Sequence, residues 1–240
     1  MAYSYDPRTL NHGNAGGFFS TITANISTGA TTFGAPVTLT GLVSNDFTTE
    51  QTATPFYADN QSHVVLNGVS STTGTITVYQ LNQSFVENHL GKTVTTTNGT
   101  TNKSLTDTGV YNPFFYGFYE TVSAASGTET KEWTFWTNVR ASAPTGTSTT
   151  DSDSVTPKEI GIPVTCTPNV AVVDSTGNAV TQITCRDIDG SLQSYVDSMF
   201  GTSPSGNIQG LLDYLLGAEE PEPQAAVVGT SVVGGNDVVA

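Results

Sequence analysis

The sequence predicts a mainly β protein, an antiparallel β-sandwich or barrel, on three observations. Thr is its commonest residue, 41 of 240, and with Val, Tyr, Phe and Trp it falls in short runs broken by Gly, Asn, Ser and Pro. Such β-branched and aromatic side chains suit a pleated, half-buried surface. In the middle of the chain, Trp133, Phe135, Thr137 and Val139 alternate with Glu132, Thr134, Trp136, Asn138 and Arg140, a period of two that belongs to a strand. Finally, helical spacing is confined to three short stretches.

In chain order, Phe18 to Thr23, Val37 to Val43, His63 to Leu66 and Gly74 to Leu81 read as the first strands, punctuated by Pro36, Gly41 and Gly68. Ser84 to Leu90 opens on a Ser-x-x-Glu pattern, Ser84 and Glu87, that reads as a capping box, and ends at Gly91, so it predicts a short helix. Lys92 to Gly109, rich in Thr, Asn and Gly, reads as a loop. Phe114 to Val122 is the expected hairpin partner of the Trp133 strand, with Gly127 at the tip. Ser142 to Pro157 is a second polar loop. Ile160, Ile162, Val164 and Cys166 then make an alternating face, and Ala179 to Cys185 returns after a turn at Asp174 to Asn178. A hairpin about that turn sets Cys166 nearly opposite Cys185. Two helices follow: Leu192, Tyr195, Val196 and Met199 share one face of Ser191 to Phe200, and Ile208, Leu211, Leu212 and Leu215 repeat the spacing up to Gly217.

Charge excludes whole classes of function. Seven Lys and Arg against 21 Asp and Glu give a formal net charge of −14. Clamping a nucleic acid or an anionic membrane takes a cation for each phosphate, and this surface has few to offer. The first residues lack a basic segment followed by an apolar one, so no signal peptide is expected, and no apolar run nears the roughly 18 residues that span a bilayer. Synthesis and folding in a cytoplasm favour free thiols at Cys166 and Cys185 over a disulfide. The Asn-x-Ser/Thr triplets at Asn25, Asn60, Asn82, Asn98 and Asn102 follow from the Thr content.

Chemistry-bearing motifs are absent. No Ser-hydrolase elbow, phosphate-binding Gly loop or dinucleotide fingerprint occurs. His12, His63 and His89 lack the close His or Cys neighbours of a local zinc site, and each reads as a surface or hydrogen-bonded residue. Asp187 and Asp189 read as carboxylates at the positive end of the helix that follows, and Asp151 with Asp153 as a solvated loop, since either pair alone is short of a calcium site. The aromatic cluster of Tyr111, Phe114, Phe115, Tyr116, Phe118 and Tyr119 opposite Trp133 and Trp136 reads mainly as cross-strand packing. Trp136, on the outward set, is its one candidate for a sugar platform. No catalytic residue, metal or cofactor is expected, and the chain is not expected to be an enzyme.

The order of segments then points to a family. Gly34-Ala-Pro-Val-Thr-Leu-Thr-Gly41 leads through Asp46 and Thr48-Thr49-Glu50 to Phe56-Tyr57-Ala58-Asp59-Asn60, and Gly74-Thr-Ile-Thr-Val-Tyr79 meets the short helix ending at Leu90-Gly91. With the aromatic hairpin and the elements up to Phe200, this succession resembles the major tail tube proteins of long, non-contractile-tailed bacteriophages. The resemblance covers roughly residues 15 to 200. It implies a tail-tube β-sandwich with one flanking helix, preceded by an arm at 1–14 and followed at 201–240 by a short helix and an acidic Pro/Glu and Val/Gly tail. It also implies a virion structural protein that self-assembles into stacked six-fold rings forming a conduit for DNA ejection. The implied partners are further copies of the chain and the tail terminator, tape-measure and distal tail proteins, with genomic DNA passing through unbound. On the segment whose family counterpart forms the inner barrel and inter-ring loop, Asp46, Phe47, Thr48, Thr49 and Glu50, with Phe56, Tyr57, Ala58, Asp59 and Asn60, are the expected lumen or inter-ring contacts. The alternative is a secreted or baseplate-associated β-sandwich adhesin or carbohydrate-binding module.

Overall fold

A computed structural model of the chain describes residues 9–24, 30–51, 53–58, 61–67, 71–96, 103–146, 157–201 and 204–217. The first strands are β1 (Thr9–Ala24), β2 (Thr31–Phe33), β3 (Val37–Thr38), β4 (Leu42–Glu50), β5 (Ala53–Ala58), β6 (Gln61–Asn67) and β7 (Ser71–Val78). Helix α1 (Gln83–His89) leads into β8 (Lys92–Thr96), β9 (Lys103–Asp107), β10 (Phe114–Ala124) and β11 (Glu129–Ala141). The chain closes with β12 (Ile160–Cys166), β13 (Asn169–Val173), β14 (Ala179–Val180), β15 (Gln182–Asp187), α2 (Ser191–Ser198) and α3 (Ile208–Leu216).

One antiparallel sheet dominates, in the order β2-β1-β10-β11-β12-β7-β4, with β3 paired to β1 and β15 to β11. It curls until β4 comes back against β1. Asn14 Nδ2 on β1 donates to the Val43 carbonyl on β4 at 3.2 Å, and Leu39 N donates to the Gly17 carbonyl at 2.7 Å. The interior of this incomplete barrel is the first core, where Phe19, Ile76, Tyr116, Trp136, Val139 and Ile162 meet, with Phe85 of α1 and Leu90 at its C-cap closing it. A second core lies on the opposite face of β1, β10 and β11. There Phe18, Phe115, Trp133 and Phe135 are covered by Leu192 and Val196 of α2 and Ile208, Leu211 and Leu212 of α3.

Two cores on one sheet explain the aromatic hairpin. Strands buried on both faces read as continuous apolar runs, and Phe114 to Tyr119 is such a run. The expected hairpin is present with Gly127 at its tip, in the left-handed region at φ 81°. Its outward face is not outward, however: Trp136 is 3% exposed and stacks on Phe47 with centroids 4.7 Å apart.

A bulge in β11 also breaks the expected alternation. Phe114 pairs Val139 while Tyr116 pairs Trp136, so β11 spends one extra residue and its face parity flips. Before the bulge the odd residues Trp133 and Phe135 face the second core, and after it Val139 and Ala141 face the first. At this point the neighbouring strand is interrupted too. β12 ends at Cys166 opposite Val139, the chain departs through β13 and β14, and β15 resumes beside Trp136 to Lys131. Thr137 holds the re-joining chain, its N donating to the Thr181 carbonyl and its Oγ1 to the Val180 carbonyl.

That arrangement corrects the expected placement of the cysteines. Cys166 pairs Val139 and Cys185 pairs Trp133, six residues along the same strand, which is about 20 Å at the rise of a β-strand. Both are free thiols, and burial pushes the Cys166 thiol up to about 12. Three local expectations also change. The Val37–Val43 strand is broken at Thr40 and Gly41, where Gly41 at φ 74° turns β3 into β4. The capping residue of α1 is Asn82, whose Oδ1 accepts from Ser84 N at 2.9 Å, while Glu87 accepts from Gln83 instead. Lys92 to Gly109 holds a β8–β9 hairpin, closed by the Lys92–Asp107 ion pair at 3.5 Å.

Candidate functional site

The residues expected to do the protein's work divide between two parts of one long hairpin. Asp46 to Glu50 lie on β4, in register with β7: Asp46 faces Thr75, Phe47 Gly74, Thr48 Thr73, Thr49 Thr72 and Glu50 Ser71. Alternation then sorts them. Phe47 turns inward to stack on Trp136 and on Phe118, and it lies over Gly74, where a Cβ would fall 2.7 Å from its ring. Thr49 shares a 2.8 Å hydroxyl contact with Thr72. Asp46, Thr48 and Glu50 are exposed on the opposite face.

Past Glu50 the pair runs on as a two-stranded ribbon, β5 with β6, that pairs with no other strand among the described residues. Phe56, Tyr57 and Ala58 are on β5, and Ala58 pairs Gln61. Asp59 and Asn60 lie outside the described residues.

Sequence reasoning missed the partners of β4. The outward face continues through Thr73, Thr75 and Thr77 of β7 to Pro163 and Thr165 of β12. A shallow depression gathers Asp46, Thr48, Thr73, Thr75, Ser142, Pro163 and Thr165. Neither helix of the second core covers this part of the sheet. The face is hydroxyl-rich and acidic, with no Lys or Arg on β4, β7 or β12, and the exposed Arg140 of β11 pairs Thr165 at its border. The signal was readable in Thr73 to Val78, where Thr alternates with Gly, Ile and Val.

Elsewhere polar groups serve the fold. Asp187 and Asp189 take the helix-starting role expected of them: Asp187 accepts from Gly190 N and Gln193 N, and Asp189 from Ser191 N and Oγ, each at 2.6–2.9 Å. The Ser191 bonds hold the Asp189 carboxyl below its ordinary range. His12 Nε2 meets Ser123 Oγ at 2.7 Å. His89 is fully buried among Phe19, Phe85 and Phe114, its Nδ1 donating to the Asn112 carbonyl, and burial lowers its pKa to about 4. Trp133 and Trp136, at 1% and 3% exposed, offer no surface on which a sugar could stack. Among the described residues no three His, Cys, Asp or Glu gather to hold a metal, and no helix is long and apolar enough to cross a membrane.

Residues 1–209 match the sequence signature of a family described as phage tail tube protein. The chain belongs to the phage tail tube protein family. It is therefore a structural component of the virion tail that assembles with other subunits into a tube. Among solved structures, this tail tube chain is similar to the SPP1 tail tube determined by solid-state NMR and cryo-electron microscopy, at 10% identity and a TM-score of 0.37, over 80% of this chain and 95% of that one. No curated protein matches it.

Proposed function

We propose that the chain forms hexameric rings stacked into the tail tube, and that the bare face of β4, β7 and β12 lines the lumen through which DNA leaves at ejection. The observation that carries this reading is the face itself. In a tail tube family member, a sheet surface left uncovered by its own helices, rich in hydroxyls and without a cation on its three strands, suits a channel that must not hold its cargo. DNA carries one negative charge per about 1.7 Å, so a wall bearing Asp46 repels it and Thr hydroxyls stay hydrated. On this reading Asp46 and Thr48 face the lumen. Glu50 and the β5–β6 ribbon, with Phe56, Tyr57 and Ala58 on β5 and with Asp59 and Asn60, which follow them in sequence, reach the next ring. The role is structural and not enzymatic, and the tail terminator, tape-measure and distal tail proteins meet the tube's ends and interior.

The test is electron microscopy of assembled tubes followed by a charge change in the lumen. Six-fold rings are expected, and another symmetry overturns the hexamer. Asp46→Lys with Thr48→Lys should leave tubes intact and slow DNA delivery to the host, because each phosphate then meets a cation. Delivery at the wild-type rate overturns the lumen assignment.

A further inference from the structure

The two ends of the antiparallel sheet differ in charge. At the first end β1 and β11 finish and β4, β10 and β12 begin, with α1 and the β8–β9 hairpin gathered beside them. At the second, β1 and β11 begin, β10 and β15 finish, and β4 runs out into its ribbon. Of the seven Lys and Arg, Lys92, Arg140 and Lys158 belong to the first end. Arg140 and Lys158 are exposed there, while two of the three acids at that end are engaged, Asp107 with Lys92 and Glu87 with Gln83. The second end holds Glu50, Glu120, Glu129, Glu132, Asp187 and Asp189. Its cations among the described residues are occupied: Arg186 pairs Glu132 at 3.1 Å, and Lys131 donates to Gln193 and lies 4.4 Å from the centre of the Tyr119 ring. Glu50 and Glu129 remain exposed.

We propose that these ends are the two halves of one interface, the cationic end of each copy facing the acidic end of a copy in the adjacent ring. This rests on the stacked-ring reading above. Strands that line a closed barrel tilt by roughly 35–45° from its axis, so their ends face along the tube, toward the rings on either side. The contact is heterologous, since one patch meets a different patch, and such contacts propagate into open filaments instead of closing. Like ends repel, so subunits add in one orientation only. A single exposed pair contributes little. Repetition around the ring makes the sum large enough to direct assembly, and screening makes it salt-dependent.

The experiment compares four full-length proteins: wild type, Arg140→Glu with Lys158→Glu, Glu50→Lys with Glu129→Lys, and all four changes together. All four sites are exposed, and matching melting curves check that the fold is kept. Tubes are counted by electron microscopy and sedimentation at ~0.1 M and ~1 M salt, where the screening length falls from about 10 to 3 Å. Each double reversal should raise the protein concentration needed for tubes by roughly tenfold or more at low salt, and the four-site variant should recover most of that loss. High salt should narrow the differences. Double reversals that polymerise like wild type at low salt, or a four-site variant no better than either double, overturn the charge assignment alone. Wild type that yields neither rings nor tubes overturns the stacked-ring reading and this proposal with it.

Discussion

Strands β10 and β7 belong to the same sheet and share the first core, yet their outer faces have opposite fates. On β10 the face away from that core carries Phe115 and Tyr119, and α2 and α3 lie over it with β11's Trp133 and Phe135. On β7 the corresponding face carries Thr73, Thr75 and Thr77, and no helix among the described residues covers it. The hydrophobic effect accounts for both: apolar side chains recruit a covering layer and hydroxyls do not. The sheet thus commits one flank to the subunit's own interior and leaves the other, among the described residues, without a covering layer.

Truncation should expose that division most strongly. Trp133→Ala on the covered flank should cost about 3–5 kcal/mol, whereas Thr73→Ala on the bare flank should stay within about 0.5 kcal/mol. Urea midpoints measure both, and comparable losses would dissolve the distinction. The shared first core can be probed through His89, a fully buried titratable group packed on its Phe19, Phe85 and Phe114. Burial sets its folded pKa near 4, below the ordinary 6.5, so the unfolded chain takes up the proton first. The stability is whole above pH 6.5 and falls as pH drops through that window, by on the order of 3 kcal/mol by pH 4. His89→Gln should flatten that slope in urea titrations run between pH 7 and 4.

Backbone changes sharpen the comparison further. Gly16, at φ 64°, sits where a Cβ would fall 2.5 Å from the Tyr119 ring on the covered flank. Gly16→Ala should destabilise by about 1–3 kcal/mol in thermal unfolding. The smallest contrast sets two carboxylates against each other. Asp187→Ala removes the acceptor of the Gly190 and Gln193 amides and should cost about 1–2 kcal/mol, while Asp46→Ala on the bare flank should be close to neutral in the same calorimetric assay.

Legibility in the sequence followed range. The hairpin of Phe114–Val122 with Trp133–Arg140 could be read because its turn is local and both strands are strongly patterned. The start of α2 was readable for the same reason, since Asp187 and Asp189 act within a few residues of their position. The β11 bulge was hidden, because the parity change at Thr137 depends on a loop that re-joins from Thr181. Two other readings failed for reasons of equal range: a core on each face of β11 buries Trp136, which a single-core pattern made look outward, and the break between β12 and β15 separates Cys166 from Cys185. The β8–β9 hairpin escaped because its Thr and Asn serve a strand as well as a loop. At the candidate site, Asp46 to Glu50 were identifiable as one extended segment. The wall they form with Thr73, Thr75 and Thr165 was not, because β4, β7 and β12 come from distant parts of the chain.

The interruption between β12 and β15 has a practical consequence. Because the sheet's register is fixed on either side, by Cys166 against Val139 and by Gln182 against Trp136, the excursion between them is tied at its base, and along its length Val172 anchors it in the second core. Its turn, Asp174 to Asn178, is closed by Asp174 accepting from the Thr176 and Asn178 amides, and much of it is exposed. Foreign peptides grafted at Ser175 to Gly177 would leave every strand in place, and a tube built from such subunits would carry one graft per copy, a regular scaffold for epitope display.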